Sequence, residues 1–366
     1  MDGVTAAPYQ ENLEEHRQDL VRRLATQCSR AKVVRRCDIP QDKGKERPLG
    51  MPALEDKRGQ LAGAQVLHAI YAQDFLECST GYRPNRSAQE RVADLTCNLQ
   101  YGWYGSMVEA DSKSVCDNID PDGLREMLAQ RSDDKACLNV IRPWRKAGIR
   151  DTDGTILDPE TGTPQGGVVS PILANVSVPY ARDLWFENVV KQHVRGEAML
   201  GRDADDCVAA CRVQDEAERC YRVRPKRLGT FGLEVAPEKT QVLRLSRLHP
   251  RMKRRCPFLG CERYWFPDRQ GAMRVKHRTS RKKLQGACRR IKAWIKANRH
   301  RKGKQFVQAL HRRLQGPDNY DGLRGKSAAL DRFSTWAKQW ACKWLNRRGG
   351  KRKSFPWQAF ERALDR

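Results

Sequence analysis

The stretch EAMLGRDADDCVAAC, residues 197–211, decides how the chain is read. An apolar run leads into three aspartates within four positions, Asp203, Asp205 and Asp206, and a run of small apolar residues leads out. The pattern predicts a hairpin, strand 197–203 and strand 206–212, with its carboxylates at the turn. On spacing alone two readings stay open. Acidic residues favour turns in their own right, so the cluster is a solvated turn. Alternatively it is a built site for a divalent cation.

A second carboxylate set lies upstream. GSMVEADS (105–112) reads as a short strand ending at Asp111. If the two strand sets are neighbours in one antiparallel sheet, three carboxylates meet at one edge. Oxygen ligands of that kind suit Mg²⁺, which is held by a few carboxylates plus substrate phosphates. Two such ions about 4 Å apart can assist an in-line displacement at phosphorus.

The charge balance explains why acid gathered at one point is notable. The chain has 70 Lys+Arg against 44 Asp+Glu, a net of +26. Residues 276–366 hold 27 Lys+Arg and 5 Asp+Glu, so this final quarter carries +22 of the surplus. A basic block of this kind is either a disordered tail or the footprint of a polyanion binder. Trp294, Trp336, Trp340, Trp344 and Trp357 interleave with the charges and favour the second, because disordered segments are poor in aromatics. The thirteen cysteines include no CxxC, and their odd number and spacing predict free, mostly buried thiols in a reducing cytosol. With no signal peptide or membrane span in view, a soluble cytoplasmic protein is expected.

Helices are predicted at 10–26, 54–76, from Ser87, from Pro121, after the glycine turn at 162–167, through 214–230, and then alone at 280–299, 303–315 and 326–347. Extended segments are predicted on either side of QDKGKE (41–46), in 197–212, after the turn in FGLEVAPEKTQVLRLS (231–246), and as one strand in FLGCERYWF (258–266). LHPRMKRRCP (248–257) reads as a basic connector, and GPDNYDGLRG (316–325) as the separator of the last two helices.

GTPQGGVVSPILANV (162–176), the acidic hairpin, FGLEVAPEKTQVL and, upstream of them, RPLGMPALEDK (47–57) occur in an order and spacing that resembles the reverse transcriptase/maturase encoded by bacterial group II introns. The similarity covers nearly the whole chain. It implies an α+β right-hand polymerase, fingers and palm with an antiparallel sheet, followed by an all-α basic thumb/maturase domain. The expected boundaries are 1–247 for fingers and palm, 248–275 for the connector and primer-grip region, and 276–366 for the helical domain. The resemblance further implies RNA-directed DNA synthesis with Mg²⁺ on Asp111, Asp205 and Asp206, which match the family's catalytic aspartates. It places Gln165 beside the incoming nucleotide and Arg47 on the triphosphate, where a planar guanidinium is suited. Arg83 and Lys239 fall in nucleic-acid-binding motifs, and the glycines after Gln165 would let the backbone approach a base pair. The implied partners are group II intron RNA, an RNA template with a DNA primer, and dNTPs, with no membrane. Arg281, Lys282, Lys283, Arg289 and Arg290 would contact RNA phosphates in a salt-sensitive way. Ordinary surface charge is the alternative for Arg47, Lys239 and the basic helix, and helix core for the Trp336, Trp340 and Trp344 stripe.

The chain also departs from the family pattern near the chemistry. Asp203 stands where the family has tyrosine, and the added charge is expected to raise at least one neighbouring carboxylate's pKa unless a basic group compensates. Gly201 replaces an apolar strand residue and is expected to weaken the hairpin. Val115 and Cys116 replace two aromatics, and a small Cys116 at the position facing the sugar's 2′ side predicts relaxed sugar discrimination. MDGVT matches the middle of a longer family motif, so an upstream extension is expected to be missing, and no Cys/His cluster of an appended nuclease is seen. Three readings follow: a polymerase with maturase activity, an RNA-binding maturase whose polymerase site has decayed, or a decaying reading frame with little stable product.

Overall fold

The computed structural model describes residues 4–40, 46–113, 115–151, 153–157, 166–237, 240–248, 250, 254–321, 327–347 and 354–364. They form two compact units, Met1–Ser87 with Ser106–Val242, and Ala88–Gly105 with Leu243–Arg366.

The first unit begins with α1 (Ala6–Glu11) and α2 (Leu13–Ala25), then β1 (Val34–Pro40), β2 (Glu46–Met51) and α3 (Leu54–Tyr71). The chain then visits the second unit as α4 (Ala88–Tyr101) before returning as β3 (Ser106–Ala110), β4 (Ser112–Lys113), α5 (Val115–Asn118), α6 (Pro121–Ala129), α7 (Lys135–Arg145), β5 (Ile149–Arg150) and β6 (Ile156–Leu157). Next come α8 (Ser170–Val178) and a π-helical continuation, Pro179–Asp183 and Phe186–Val190, then β7 (Ala198–Asp203), β8 (Asp206–Cys211), α9 (Gln214–Gly229), β9 (Glu234–Val235) and β10 (Gln241–Arg244). The π register begins at Pro179, which has no N–H to donate to the turn before it.

Two four-stranded sheets organise this unit. One has the order β2-β1-β5-β6, and in it Pro40 pairs with Glu46, so β1 and β2 are the two arms predicted around the polar turn. The other has the order β10-β3-β8-β7, with β8 antiparallel to both neighbours. Flanked on both edges, β8 is buried from Cys207 to Cys211, which is why its sequence is an unbroken run of small apolar residues instead of an alternation. Val108, Ala110, Leu200, Cys207 and Ala209 pack with Phe186 and with Ala217 of α9 in the core of this sheet. Gly201 sits in the middle of β7, paired with Val208, and the strand runs unbroken through it. The glycine expected to weaken the hairpin thus does not interrupt the ladder.

In the second unit β11 (Cys256–Phe258), β12 (Cys261–Pro267) and β13 (Met273–Thr279) make an antiparallel sheet. α4 docks on it through Gln100, whose Nε2 donates to the Met273 carbonyl at 3.3 Å and whose Oε1 accepts from the Val275 N–H at 2.7 Å. The strand expected over 258–266 is divided at Leu259 and Gly260, whose φ values of 51° and 77° are those of a tight hairpin turn. β13 went unpredicted because Arg274, Lys276 and Arg278 break up its apolar residues. Four helices follow, α10 (Arg281–Asn298), α11 (Gly303–Asp321), α12 (Ser327–Asn346) and α13 (Trp357–Leu364), around Ile291, Ile295, Phe306, Leu310, Ala337 and Phe360. α11 extends through the expected separator as far as Asp321. Among the described residues no helix is long and apolar enough to cross a membrane, and the cysteines whose side chains are described are free thiols. Burial pushes Cys78 and Cys211 up to about 12 and Cys220 to about 11, so these thiols stay protonated.

Candidate active site

The acidic stretch folds as predicted into a two-residue hairpin. Asp203 pairs with Asp206, and Ala204 and Asp205 form the turn. Ala110 of β3 pairs with Cys207 of β8 as the last pair of the ladder, so Asp111 follows directly on β3 and Asp206 directly precedes Cys207 at the same end of the sheet. The backbone of Asp111 is held by the Ala236 N–H, which donates to its carbonyl at 3.0 Å, beside the short pair of β4 and β9. Period-2 alternation then sets Glu109 on the same face as Asp111.

Ala204 has φ 55°, a left-handed conformation that a non-glycine residue keeps only when its surroundings impose it. Those surroundings are specific. Arg202, wholly buried, donates from Nε to both oxygens of Asp183 at 3.0 and 2.9 Å, from Nη1 to Asn175 Oδ1 at 3.1 Å, and to the Ala204 carbonyl at 3.4 Å. Asn175 Nδ2 donates to the Gly81 carbonyl at 2.7 Å. Gly81 lies against the turn so closely that a Cβ there would stand 2.2 Å from the Ala204 nitrogen. Arg182, next to Asp183 on the π-helical segment, donates to the Asp205 carbonyl at 3.3 Å and to the Ser112 hydroxyl. The turn is thus fixed from beneath by buried arginines on β7 and the helix behind it.

The electrostatics follow from this packing. Burial raises the Asp205 pKa, the Asp111 charge adds to it, and Arg182, Arg47 and Arg202 oppose it. Burial also lifts Glu109 to about 7, with the Gln241 amide at 2.7 Å lowering it and Asp206 and Asp111 raising it. Both carboxyls are raised chiefly by desolvation, the carboxylates that add to it are Asp111 and Asp206, and at Asp205 three arginines oppose it.

Among the described residues no three His, Cys, Asp or Glu side chains are gathered closely enough to hold a metal ion alone. Mg²⁺ does not require such a cage, since one or two carboxylates and substrate phosphates suffice. Asp111 and Asp205 fit that demand. Both are hard oxygen donors, they lie near enough for one charge to act on the other, and Asp205 is desolvated.

The other expected site residues are distributed as follows. Arg47 is exposed on β2 and its charge reaches Asp205. Gly166 has φ 107°, and its Cβ direction is filled by the Gly50 carbonyl at 2.6 Å, so its close approach is to β2. The Arg83 guanidinium donates to the Leu76 and Ser79 carbonyls, both at 2.8 Å, and so holds the turn that carries Gly81. Cys116 lies in α5, with its side chain outside the described residues; Gln165 and Lys239 lie outside them altogether. Arg281, Lys282, Lys283, Arg289 and Arg290 are all exposed on α10, while Gly286, Ile291 and Ile295 face inward. Trp336, Trp340 and Trp344 pack at the edge of the helical core, with Lys292 4.3 Å from the Trp340 ring and Arg299 4.9 Å from that of Trp344.

Sequence reasoning missed Glu109, Gly81, Asn175, Arg182, Asp183 and Arg202. Glu109 was legible in the strand alternation. The others belong to four separate segments, and no local pattern connects them.

This fold and hairpin define a class. The family described as reverse transcriptase (RNA-dependent DNA polymerase) matches residues 39–263, more than half of the chain, and the chain belongs to it. Among its relatives is protein YkfC of Escherichia coli, 29% identical over 310 residues, covering 75% of this chain and 78% of that protein. The group II intron-encoded protein LtrA of Lactococcus lactis is 36% identical over 144 residues, 39% of this chain and 24% of LtrA. A putative COX1/OXI3 intron 1 protein of Saccharomyces cerevisiae is 30% identical over 166 residues, 45% of this chain and 20% of that protein. The matches thus span a quarter or less of these two intron-encoded proteins. In structure the chain is similar to telomerase from Candida albicans, with TM-score 0.52 and 12% identity over 96% of this chain and 67% of the other, a likeness of fold.

Proposed function

We propose that the chain is an RNA-directed DNA polymerase that also binds group II intron RNA as a maturase, acting in the cytoplasm. The observation that supports the reading is the β3–β8 ladder, whose last pair, Ala110 with Cys207, lies one residue before Asp111 and one after Asp206, together with the desolvation of Asp205. Asp111 and Asp205, with Asp206 beside them, would hold Mg²⁺. When bound, the metal eases ionisation of the primer 3′-hydroxyl and offsets charge on the leaving pyrophosphate. The chain's own contribution is position and charge. Arg182 and Arg202 fix the turn, so the carboxylates need little reorganisation. Arg47 holds the triphosphate of the incoming dNTP, and Gln165 positions its base. Cys116 is assigned to the sugar's 2′ side, where a small residue would relax sugar discrimination, while Arg83 and Lys239 support the primer–template. Arg281, Lys282, Lys283, Arg289 and Arg290 of the helical unit hold RNA phosphates.

A second reading, an RNA-binding maturase with a decayed polymerase site, is favoured by Asp203, which puts a further carboxylate in register with Asp206. Primer extension on an RNA template with Mg²⁺ separates the two. Extension by the wild type that falls about a thousandfold in Asp205→Ala, the equivalent of roughly 4 kcal/mol, supports the polymerase. Incorporation of rNTPs alongside dNTPs, reduced in Cys116→Phe, supports the assignment of Cys116. Folded, RNA-binding protein that extends nothing sinks the polymerase reading and leaves the maturase.

A further inference from the structure

The loop Tyr101–Gly105 and the segment after β10 meet in the second unit, where the Leu245 N–H donates to the Gly105 carbonyl at 3.0 Å. Two large aromatics stand out there, Tyr101 at 72% exposure and Trp103 at 53%. Single exposed aromatics are common on protein surfaces. Tyr101 at the end of α4 and Trp103 in the turn that follows it are a more specific arrangement. The shape comes from Gly102, whose N–H donates to the Asn98 carbonyl at 2.7 Å. A Cβ at Gly102 would stand 2.4 Å from the Tyr104 ring, so the chain turns tightly there and its flanking aromatics face solvent. The Arg247 guanidinium lies 4.1 Å from the centre of the Trp103 ring.

We propose that Tyr101, Trp103 and Arg247 form a stacking platform for unpaired nucleotides of a bound RNA. An accessible ring face takes any base by stacking, and a guanidinium seated on the same indole supplies a charge for the adjoining phosphate. Single strands are the fitting class because a duplex keeps its base faces inside its own stack. Charge complementarity points to a polyanion as well, since the second unit contains residues 276–366 and their net +22. The platform shares no residue with the exposed cations of α10. It rests on the reading of the chain as an RNA-binding protein and names which form of RNA this surface takes.

The test measures binding of the full chain to a labelled twelve-nucleotide oligouridylate and to a matched RNA duplex, by fluorescence anisotropy at constant salt. Trp103→Ala is expected to weaken oligouridylate binding about tenfold, Trp103→Phe by no more than about twofold, and neither variant is expected to change duplex binding. Tyr101→Ala is expected to behave as Trp103→Ala does. Equal oligouridylate binding by wild type and Trp103→Ala overturns the platform while leaving RNA binding intact. Equal losses on single strand and duplex also overturn it, because they mark a general electrostatic or structural effect. Wild-type protein that binds neither RNA overturns the RNA-binding reading, and the platform with it.

Discussion

Gly81 is the position at which one added carbon reaches the site. Its missing side chain is what lets the turn at Ala204 close, since a Cβ would stand 2.2 Å from backbone that has no flexible end to move aside. Gly81→Ala is expected to cost about 1–3 kcal/mol in urea denaturation. The same variant should lose primer extension more than tenfold, because the shift falls on the residue before Asp205. Glu109 gives a residue-level pH effect. Its pKa in the fold is raised from 4.5 to about 7, so between those values the folded chain keeps a proton that the unfolded chain has released. Stability from this group is full below about pH 4.5 and declines as pH rises through 7. Glu109→Gln, melted without divalent metal, should therefore be more stable than wild type at pH 8, with the gap closing toward pH 4.5. A gap that grows on acidification would contradict the assignment.

At the scale of elements, the acidic hairpin is held by a buried ion pair that joins β7 to the helix behind it. Arg202 and Asp183 are both fully buried, and Arg202 Nη2 is 2.7 Å from Asp183 Oδ2. Removing either partner strands a charge away from water, so Arg202→Met or Asp183→Leu alone should cost about 3–5 kcal/mol. The double variant should recover most of that in denaturant melts, because two apolar residues leave no charge behind. Its polymerase activity should not recover, since the contacts from Arg202 to Asn175 and to the turn are gone. The hairpin itself was legible from residues 197–211, where an apolar run, a polar turn and a small apolar run occur in order. The pair beneath it was not, because Asp183 and Arg202 lie nineteen residues apart on different element types. Gly201 is carried within a full ladder to β8 in spite of its low strand propensity.

Across the whole molecule, the charge asymmetry is the feature with the largest measurable consequence. Arg281, Lys282, Arg289 and Arg290 are exposed together on one helix. Replacing these four by glutamine should reduce the slope of log affinity for RNA against log salt by about 3–4, and weaken different sequences alike. An unchanged slope would mean that these cations do not meet phosphates. The inclusion of Ala88–Gly105 in the second unit is also a whole-molecule outcome. It depends on Gln100 bonding to β13, a strand that the charge-rich sequence MRVKHRT conceals.

The sequence by itself determined the family, the order of most elements, the acidic hairpin and the basic helical end, because these depend on local periodicity, turn chemistry and net charge. Only the tertiary structure decided how the hairpin is held and how its carboxylates ionise. Arg182, Asp183 and Arg202 act through burial and through contacts between segments, and desolvation is a property of the packed molecule that no single stretch of chain carries.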